Sequence, residues 1–174
     1  GTEALEAIYT MAHSGAKFND KVFQNVAGMN GIGAKGVALS SDYFVVTSFR
    51  EGKRAVLHLE KGIKTDFFVE DQVKEVANGN LTGTIVEFVP SQEVYNLEPI
   101  KISFEEVKKM CRDWSYLSKG ISFILIDHTK KKKVTYLSKN GMLDFMKENA
   151  DKALHKTPLH ITLAENGIEA EIVM

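Results

Sequence analysis

Short strand patterns joined by tight turns recur along this chain, and they constrain its fold more than any other feature. Residues 43–50 are rich in β-branched and aromatic side chains, and after a Glu51-Gly52 turn residues 55–60 alternate between apolar and polar side chains. Such a pair predicts a β-hairpin, and residues 121–126 with residues 134–137 predict a second one. Because hairpins join antiparallel neighbours, we expect a mixed, largely antiparallel sheet and not a doubly wound parallel one.

Helical patterns separate these strand patterns. The clearest covers residues 103–117, where Ser103 is a candidate N-cap, Glu106 stands three positions later, and apolar residues recur on one face. Trp114 lies on this apolar stripe, and we therefore expect it in the core. Helices alternating with antiparallel strands predict an α+β fold with the helices on one face of the sheet.

A glycine-rich segment, Gly28-Met-Asn-Gly-Ile-Gly33, precedes a short helical pattern over residues 34–40. Glycines allow close approach of a ligand to the backbone, and the free amides at the start of a helix attract anions. Lys17 and Lys35 flank the segment and can offset phosphate charge. The spacing matches neither the Walker A loop nor the Rossmann fingerprint. From the pattern alone, a purely structural turn stays open as the alternative.

Charge and cysteine content exclude several classes of function. The 174 residues carry 22 Lys and Arg against 23 Asp and Glu, a net charge of −1, whereas a protein that binds duplex DNA tightly usually has a basic excess. The single cysteine, Cys111, cannot form an internal disulfide, which favours a cytoplasmic location. No apolar run reaches 18 residues, so we expect no membrane partner.

A run of four lysines, Lys130 to Lys133, falls between two strand patterns. It has two interpretations, contact with DNA phosphate or a solvated hairpin tip, and charge runs in turns are more typical of the second. The five histidines are scattered without the spacing of metal ligands, and we expect no metal site among them.

Seven segments together closely resemble the B-type subunits of type II DNA topoisomerases, namely gyrase B, topoisomerase IV B or a phage counterpart. They are residues 6–20, 26–33, 37–40, 48–53, 82–91, 112–121 and 156–158. The resemblance implies the GHKL (Bergerat) fold, a two-layer α/β sandwich with a mixed, largely antiparallel sheet, here truncated at its N-terminal side. It also implies that residues 1–155 are the second half of the ATPase domain, and that residues 156–174 begin a transducer domain with its first hairpin.

The same resemblance implies the residues of an ATP site. The residues expected to bind phosphate are Lys17, Gly28, Met29, Asn30, Gly31, Ile32 and Gly33. The expected adenosine pocket comprises Phe23, Thr84 and Val86, and Arg50 corresponds to an arginine at the pocket mouth that aminocoumarin inhibitors contact.

The implied activity is ATP hydrolysis that drives dimer closure and DNA strand passage. It would use ATP and Mg²⁺, a topoisomerase A subunit, DNA, and homodimerisation on ATP binding. The family's catalytic glutamate, its magnesium-binding asparagine four residues later and its adenine-binding Asp-x-Gly have no counterpart here. We expect them before Gly1, so no catalytic residue and no metal ligand is assigned to this chain, and we expect no ATP turnover by it alone. The alternatives are a non-catalytic GHKL-like interaction or dimerisation module, or another GHKL ATPase of the chaperone or mismatch-repair type.

Overall fold

The computed structural model of the chain describes residues 2–11, 31–71, 82–96, 101–150, 157–165 and 168–174. By the packing of its backbone the chain divides into two compact units, Gly1–Ile100 (unit 1) and Lys101–Met174 (unit 2). The domain boundary expected between residues 155 and 156 falls among residues 151–156, which lie outside the described ranges, and it stays a prediction.

The described residues of unit 1 form an antiparallel sheet and three helices. Their order along the chain is α1 (Thr2–Thr10), α2 (Gly33–Leu39), β1 (Ser41–Arg50), β2 (Lys53–Glu60), β3 (Ile63–Asp71), β4 (Gly83–Pro90) and α3 (Gln92–Tyr95). The strands lie in the order β3-β2-β1-β4, and every pairing is antiparallel. The predicted α+β fold class with an antiparallel sheet is therefore confirmed. The short helix α3, capped by the Ser91 hydroxyl accepting from the Val94 amide, was not expected.

Two tight turns set the register of this sheet. Glu51 and Gly52 both have positive φ, at 53° and 74°, and so do Lys61 and Gly62, at 47° and 76°. Two consecutive residues with positive φ make the type I′ turn, whose twist matches that of a hairpin. Glycine at the second position of each turn adopts this conformation without steric strain, so both hairpins close with two-residue loops.

The core of unit 1 lies between the sheet and helices α1 and α2. Its fully buried members are Ala38, Phe44, Val46, Leu57 and Leu59. Partly buried residues of the helices and of β3 pack against them, namely Leu5, Tyr9, Val37 and Phe67. Burial of one such large side chain contributes about 1.5–3 kcal/mol to stability. This core therefore fixes the helical layer on one face of β1 and β2.

Unit 2, over the part of it that the structure describes, combines two helices with two separate hairpins. Its elements are α4 (Phe104–Leu117), β5 (Ser122–Asp127), β6 (Lys132–Leu137), α5 (Met142–Asn149), β7 (His160–Glu165) and β8 (Ile168–Val173). Strand β5 pairs with β6, and β7 pairs with β8. The expected cap of α4 is present, because the Ser103 hydroxyl accepts a hydrogen bond from the Glu106 amide at 3.3 Å.

The expectation that Trp114 lies in the core is wrong. Its side chain is 48% exposed, and its ring approaches Phe123 with 6.3 Å between ring centroids. The neighbouring Ser115 and Tyr116 are the buried residues of α4. Among the described residues, hairpin β5–β6 and helix α5 cover only part of α4. The apolar stripe of α4 is therefore wider than the surface that packs against it, and Trp114 lies on the uncovered part.

A carboxylate network fixes the start of α5. Asp144 accepts hydrogen bonds from the Ser138 hydroxyl at 2.8 Å and from the backbone and side-chain amides of Asn140 at 3.0 and 2.9 Å. The Gly141 amide donates to the same Ser138 hydroxyl at 2.8 Å. The Asn140 side chain, the Ser138 hydroxyl and the Asn140 backbone amide together lower the pKa of Asp144 from 3.8 to about 2. Each donor favours the ionised carboxylate, so this cap is strongest when Asp144 is charged.

This network predicts how the stability of unit 2 depends on pH. A carboxyl group with a folded-state pKa below its usual value stabilises the fold above that usual value, and the contribution is lost as the pH falls. For Asp144 the loss should run from about pH 4 to pH 2. We expect Asp144→Asn to be less stable than the parent chain at pH 7 and to match it near pH 2. Urea unfolding followed by circular dichroism between pH 7 and 2 measures this difference. Glu165→Gln, an exposed change in β7 at a carboxylate that forms no ion pair within the described residues, is the control, and a pH-independent difference for Asp144→Asn would contradict the assignment.

Candidate nucleotide-binding site

The structure describes six of the eleven residues expected to contact the nucleotide or an inhibitor. They are Gly31, Ile32, Gly33, Arg50, Thr84 and Val86. The other five, Lys17, Phe23, Gly28, Met29 and Asn30, lie outside the described residues, and their roles stay predictions.

The end of the glycine segment is an open surface leading into α2. Gly31 has a φ of +58°, a conformation that side chains rarely adopt, and α2 begins two residues later at Gly33. A Cβ atom built on Gly31, Gly33 or Gly36 would meet no heavy atom within 4 Å. Packing within the described part of the chain therefore does not require glycine at Gly33 or Gly36. The free space is consistent with close approach of a ligand.

A buried lysine lies beside this open surface. The Lys35 side chain is 6% exposed, and its Nζ donates a hydrogen bond to the Gly31 carbonyl oxygen at 2.6 Å. No carboxylate among the described residues forms an ion pair with it. Lys35 thus places a positive charge beside the end of the glycine segment, and no described carboxylate neutralises that charge.

The residues expected to bind adenine lie on the face of the sheet that carries the helices. Across β1 and β4, Thr84 pairs with Ser48 and Val86 pairs with Val46. Paired residues point to the same face of a sheet, and Val46 belongs to the core under α1 and α2. Val46 is fully buried, whereas Val86 is 43% exposed. The helices therefore cover this face over β1 and leave it open over β4.

Period-two alternation adds one residue that sequence reasoning missed. Thr84, Val86 and Phe88 are each two residues apart in β4, so their side chains lie in one row on the same face of the sheet. Phe88 pairs with Phe44, which places this row on the face that is open over β4. We call Thr84, Val86 and Phe88 the open row. All three are exposed, and two of them are apolar. The alternation was visible in the sequence, but nothing in the sequence indicated that this row is uncovered.

Arg50 ends β1 on the same face as the open row. It stands two residues after Ser48, the partner of Thr84, and therefore shares the face of Ser48. Among the described side chains, its guanidinium pairs with the exposed Glu51 carboxylate, at 2.9 Å. An exposed ion pair of this kind contributes at most about 1 kcal/mol, so the arginine can exchange it for a ligand at little cost.

The structure thus brings three of the expected residues, Arg50, Thr84 and Val86, to one face of one sheet. The glycine loop enters α2, which packs on that same face through Ala38.

Within the described residues, no three His, Cys, Asp or Glu side chains are grouped so as to hold a metal ion. No helix in the described ranges is long and apolar enough to cross a membrane.

Comparisons with known proteins identify sequence relatives over nearly the whole chain. No family model matches. The chain is 30% identical over 173 residues to the DNA gyrase B protein of Spiroplasma citri, covering 98% of this chain and 26% of the relative. It is 30% identical over 174 residues to the DNA gyrase B protein of Thermus thermophilus, covering 99% of this chain and 27% of the relative. The chain therefore spans about a quarter of the length of these curated relatives.

Solved structures show the same fold. The 43K ATPase domain of Thermus thermophilus gyrase B, solved in complex with an aminocoumarin, superposes with a TM-score of 0.73 at 26% identity, covering 96% of this chain and 40% of that one. The B-subunit of the DNA gyrase from Myxococcus xanthus superposes with a TM-score of 0.76 at 15% identity, covering 99% and 48%. The chain has the fold of the gyrase B ATPase domain, which confirms the predicted GHKL fold and the resemblance to B-type subunits of type II topoisomerases.

Proposed function

We propose that this chain, a relative of the gyrase B ATPase domain, is the ATP-binding portion of a type II DNA topoisomerase B-type subunit. One observation carries the proposal: the open glycine loop with Lys35 beneath it leads into α2, which packs on the same sheet face as the uncovered Thr84 and Val86. A nucleotide-binding site needs two kinds of surface: an electropositive loop that binds the phosphates, and an apolar surface with one polar group that binds the base.

The phosphates would bind at the loop. Backbone amides from Gly31 to Gly33 and the Lys35 ammonium supply donors and positive charge. A charge-assisted hydrogen bond of this type contributes about 1.5–3 kcal/mol. Lys17, Gly28, Met29 and Asn30 would extend the same contacts.

The base would bind at the open row. The Thr84 hydroxyl can both donate to and accept from the edge of adenine, and Val86 would pack against the ring. Phe23 would complete the adenosine pocket. Arg50, at the end of β1, would contact groups of the ligand that extend beyond the base.

The remaining chemistry is assigned to residues outside this chain. Mg²⁺ would enter with the triphosphate and neutralise part of its charge, and the glutamate base and the asparagine ligand would come from a segment before Gly1. ATP binding would favour homodimerisation of the whole cytoplasmic protein. Hydrolysis would then drive dimer closure and strand passage on DNA together with a topoisomerase A subunit.

An NMR titration of the ¹⁵N-labelled chain tests the proposal. With a non-hydrolysable ATP analogue and Mg²⁺, we expect amide shifts at residues 28–37 and 83–88 and at Lys17, Phe23 and Arg50, and none in unit 2. Because the two surfaces recognise different chemistry, tripolyphosphate should shift only Lys17 and the loop, and adenosine only Phe23 and the β4 residues. Adenosine shifts in unit 2, or no shifts at millimolar nucleotide, would contradict the proposal and favour a non-catalytic interaction module. Phosphate release from ATP by the purified chain would contradict the assignment of the catalytic base elsewhere.

A further inference from the structure

Positive charge is concentrated in and around the hairpin β5–β6. Residues 119–139 contain six lysines and one aspartate, a net charge of +5, although the whole chain carries −1. The rest of the chain therefore has an excess of six negative charges. A segregation of this size within one chain is typical of a surface that binds a polyanion.

The lysines are presented at the closed end of this hairpin, by residues 128–133, which we call the basic tip. Every residue of the basic tip is exposed. Asp127, the nearby carboxylate, accepts a hydrogen bond from the Lys130 backbone amide at 2.9 Å, so it holds the turn. Lys131 has a φ of +51°, a conformation that glycine or asparagine adopts more readily and that costs lysine about 1 kcal/mol. A lysine thus occupies a turn position where a neutral residue would be more stable.

Three ammonium groups of the basic tip have no counter-charge. Lys130, Lys131 and Lys133 form no ion pair with any carboxylate in the described ranges. Lys132 is different, because its Nζ lies 5.5 Å from the centre of the Phe104 ring and rests on the start of α4. Lys130 and Lys131 lie in the turn, and Lys133 is the second residue of β6. The three unpaired charges fall within four consecutive residues, so their potentials add.

The chemistry of the basic tip favours duplex DNA over other polyanions. Lysine binds phosphate as a point charge, and a duplex offers one such charge per roughly 1.7 Å of its axis. The basic tip has no aromatic residue on which single-stranded bases would stack, and no apolar residue that would insert into a membrane.

We propose that the basic tip binds the phosphate backbone of duplex DNA without sequence preference. This rests on the proposed function, which already includes DNA, and adds a surface of unit 2 that would contact it; a failed duplex titration would leave the nucleotide titration of unit 1 unaffected. The sequence alone favoured a solvated turn, whereas the lack of counter-charges among the described residues favours contact with phosphate.

Fluorescence anisotropy with a labelled 20-base-pair duplex tests the inference on the full 174-residue chain. We expect saturable binding at 50 mM salt and a Kd at least tenfold higher for the triple variant of the basic tip, K130A/K131A/K133A. The logarithmic salt slope should fall by about 2–3, since each phosphate contact contributes about 0.9. The matched control removes the same charge from unit 1, K53A/K61A/K64A, and should stay within about twofold of the parent Kd.

Three outcomes would overturn the proposal. One is the absence of saturable binding by the parent chain at 50 mM salt. Another is an equal loss of affinity in the two triple variants, which would indicate a general charge effect. The third is tighter binding of polyglutamate than of the duplex, which would indicate an acidic protein partner. Thermal unfolding of both variants shows that they are folded before the affinities are compared.

Discussion

Replacing Phe44 by alanine is expected to destabilise unit 1 by about 3–5 kcal/mol, whereas the same replacement at Phe88 should cost less than about 1.5 kcal/mol. The two phenylalanines are direct partners across β1 and β4 and point to the same face. Phe44 is 1% exposed and contacts the Tyr9 ring with 5.3 Å between centroids, whereas Phe88 is 47% exposed. The difference arises because the helical layer covers one partner and leaves the other open.

Urea unfolding of the two variants, followed by circular dichroism and by the amide signals of β2, measures this difference in the free energy of unfolding. Each variant is the chemical control for the other, because the deleted atoms are the same and the two residues are direct partners across β1 and β4. Equal losses at the two positions would mean that the face is covered over β4 as well as over β1. The open row would then not be available to a base.

Replacing Gly33 by alanine is expected to weaken binding of the ATP analogue at least tenfold, or about 1.4 kcal/mol, without loss of stability. Gly33 does not have positive φ, and a Cβ there would meet no heavy atom within 4 Å. The fold therefore accepts the methyl group, and alanine in place of glycine stabilises a helix by up to about 1 kcal/mol. The added methyl group would occupy the space through which the phosphates approach the loop amides.

Gly36→Ala is the matched control for this change. Gly36 lies in the same helix and has the same open surroundings, but it stands after the loop. We expect it to raise the free energy of unfolding and to leave nucleotide affinity within about twofold. The affinities come from the NMR titration, and the stabilities from urea unfolding. Unchanged affinity in Gly33→Ala would place the phosphates elsewhere.

Local sequence patterns predicted much of the fold. The hairpin over residues 43–60 follows from strand residues on both sides of Glu51-Gly52, and β1 and β2 occupy it. Ser103 and Glu106 predicted the start of α4, and the Ser103 hydroxyl accepts from the Glu106 amide. The hairpin and the helix cap could be predicted because both are stabilised by interactions between residues that are close in sequence. Trp114 was misplaced because its burial depends on which elements lie against α4, and helical periodicity contains no information on that.

The candidate site divides in the same way. The sequence contains the glycine spacing, the flanking Lys35 and the Thr84-x-Val86 alternation. Together with the resemblance, these features predicted a nucleotide site and the residues that contact the nucleotide. Only the tertiary structure shows that Lys35 is buried with its Nζ bonded to the Gly31 carbonyl oxygen. Only the tertiary structure shows that Val86 is exposed whereas its strand partner Val46 is buried. Both valines lie within strand patterns, and the sequence does not show which of them is buried. They differ because α1 and α2 pack over β1 and not over β4, and the free energy of that packing is set by surfaces that meet only when the chain is folded.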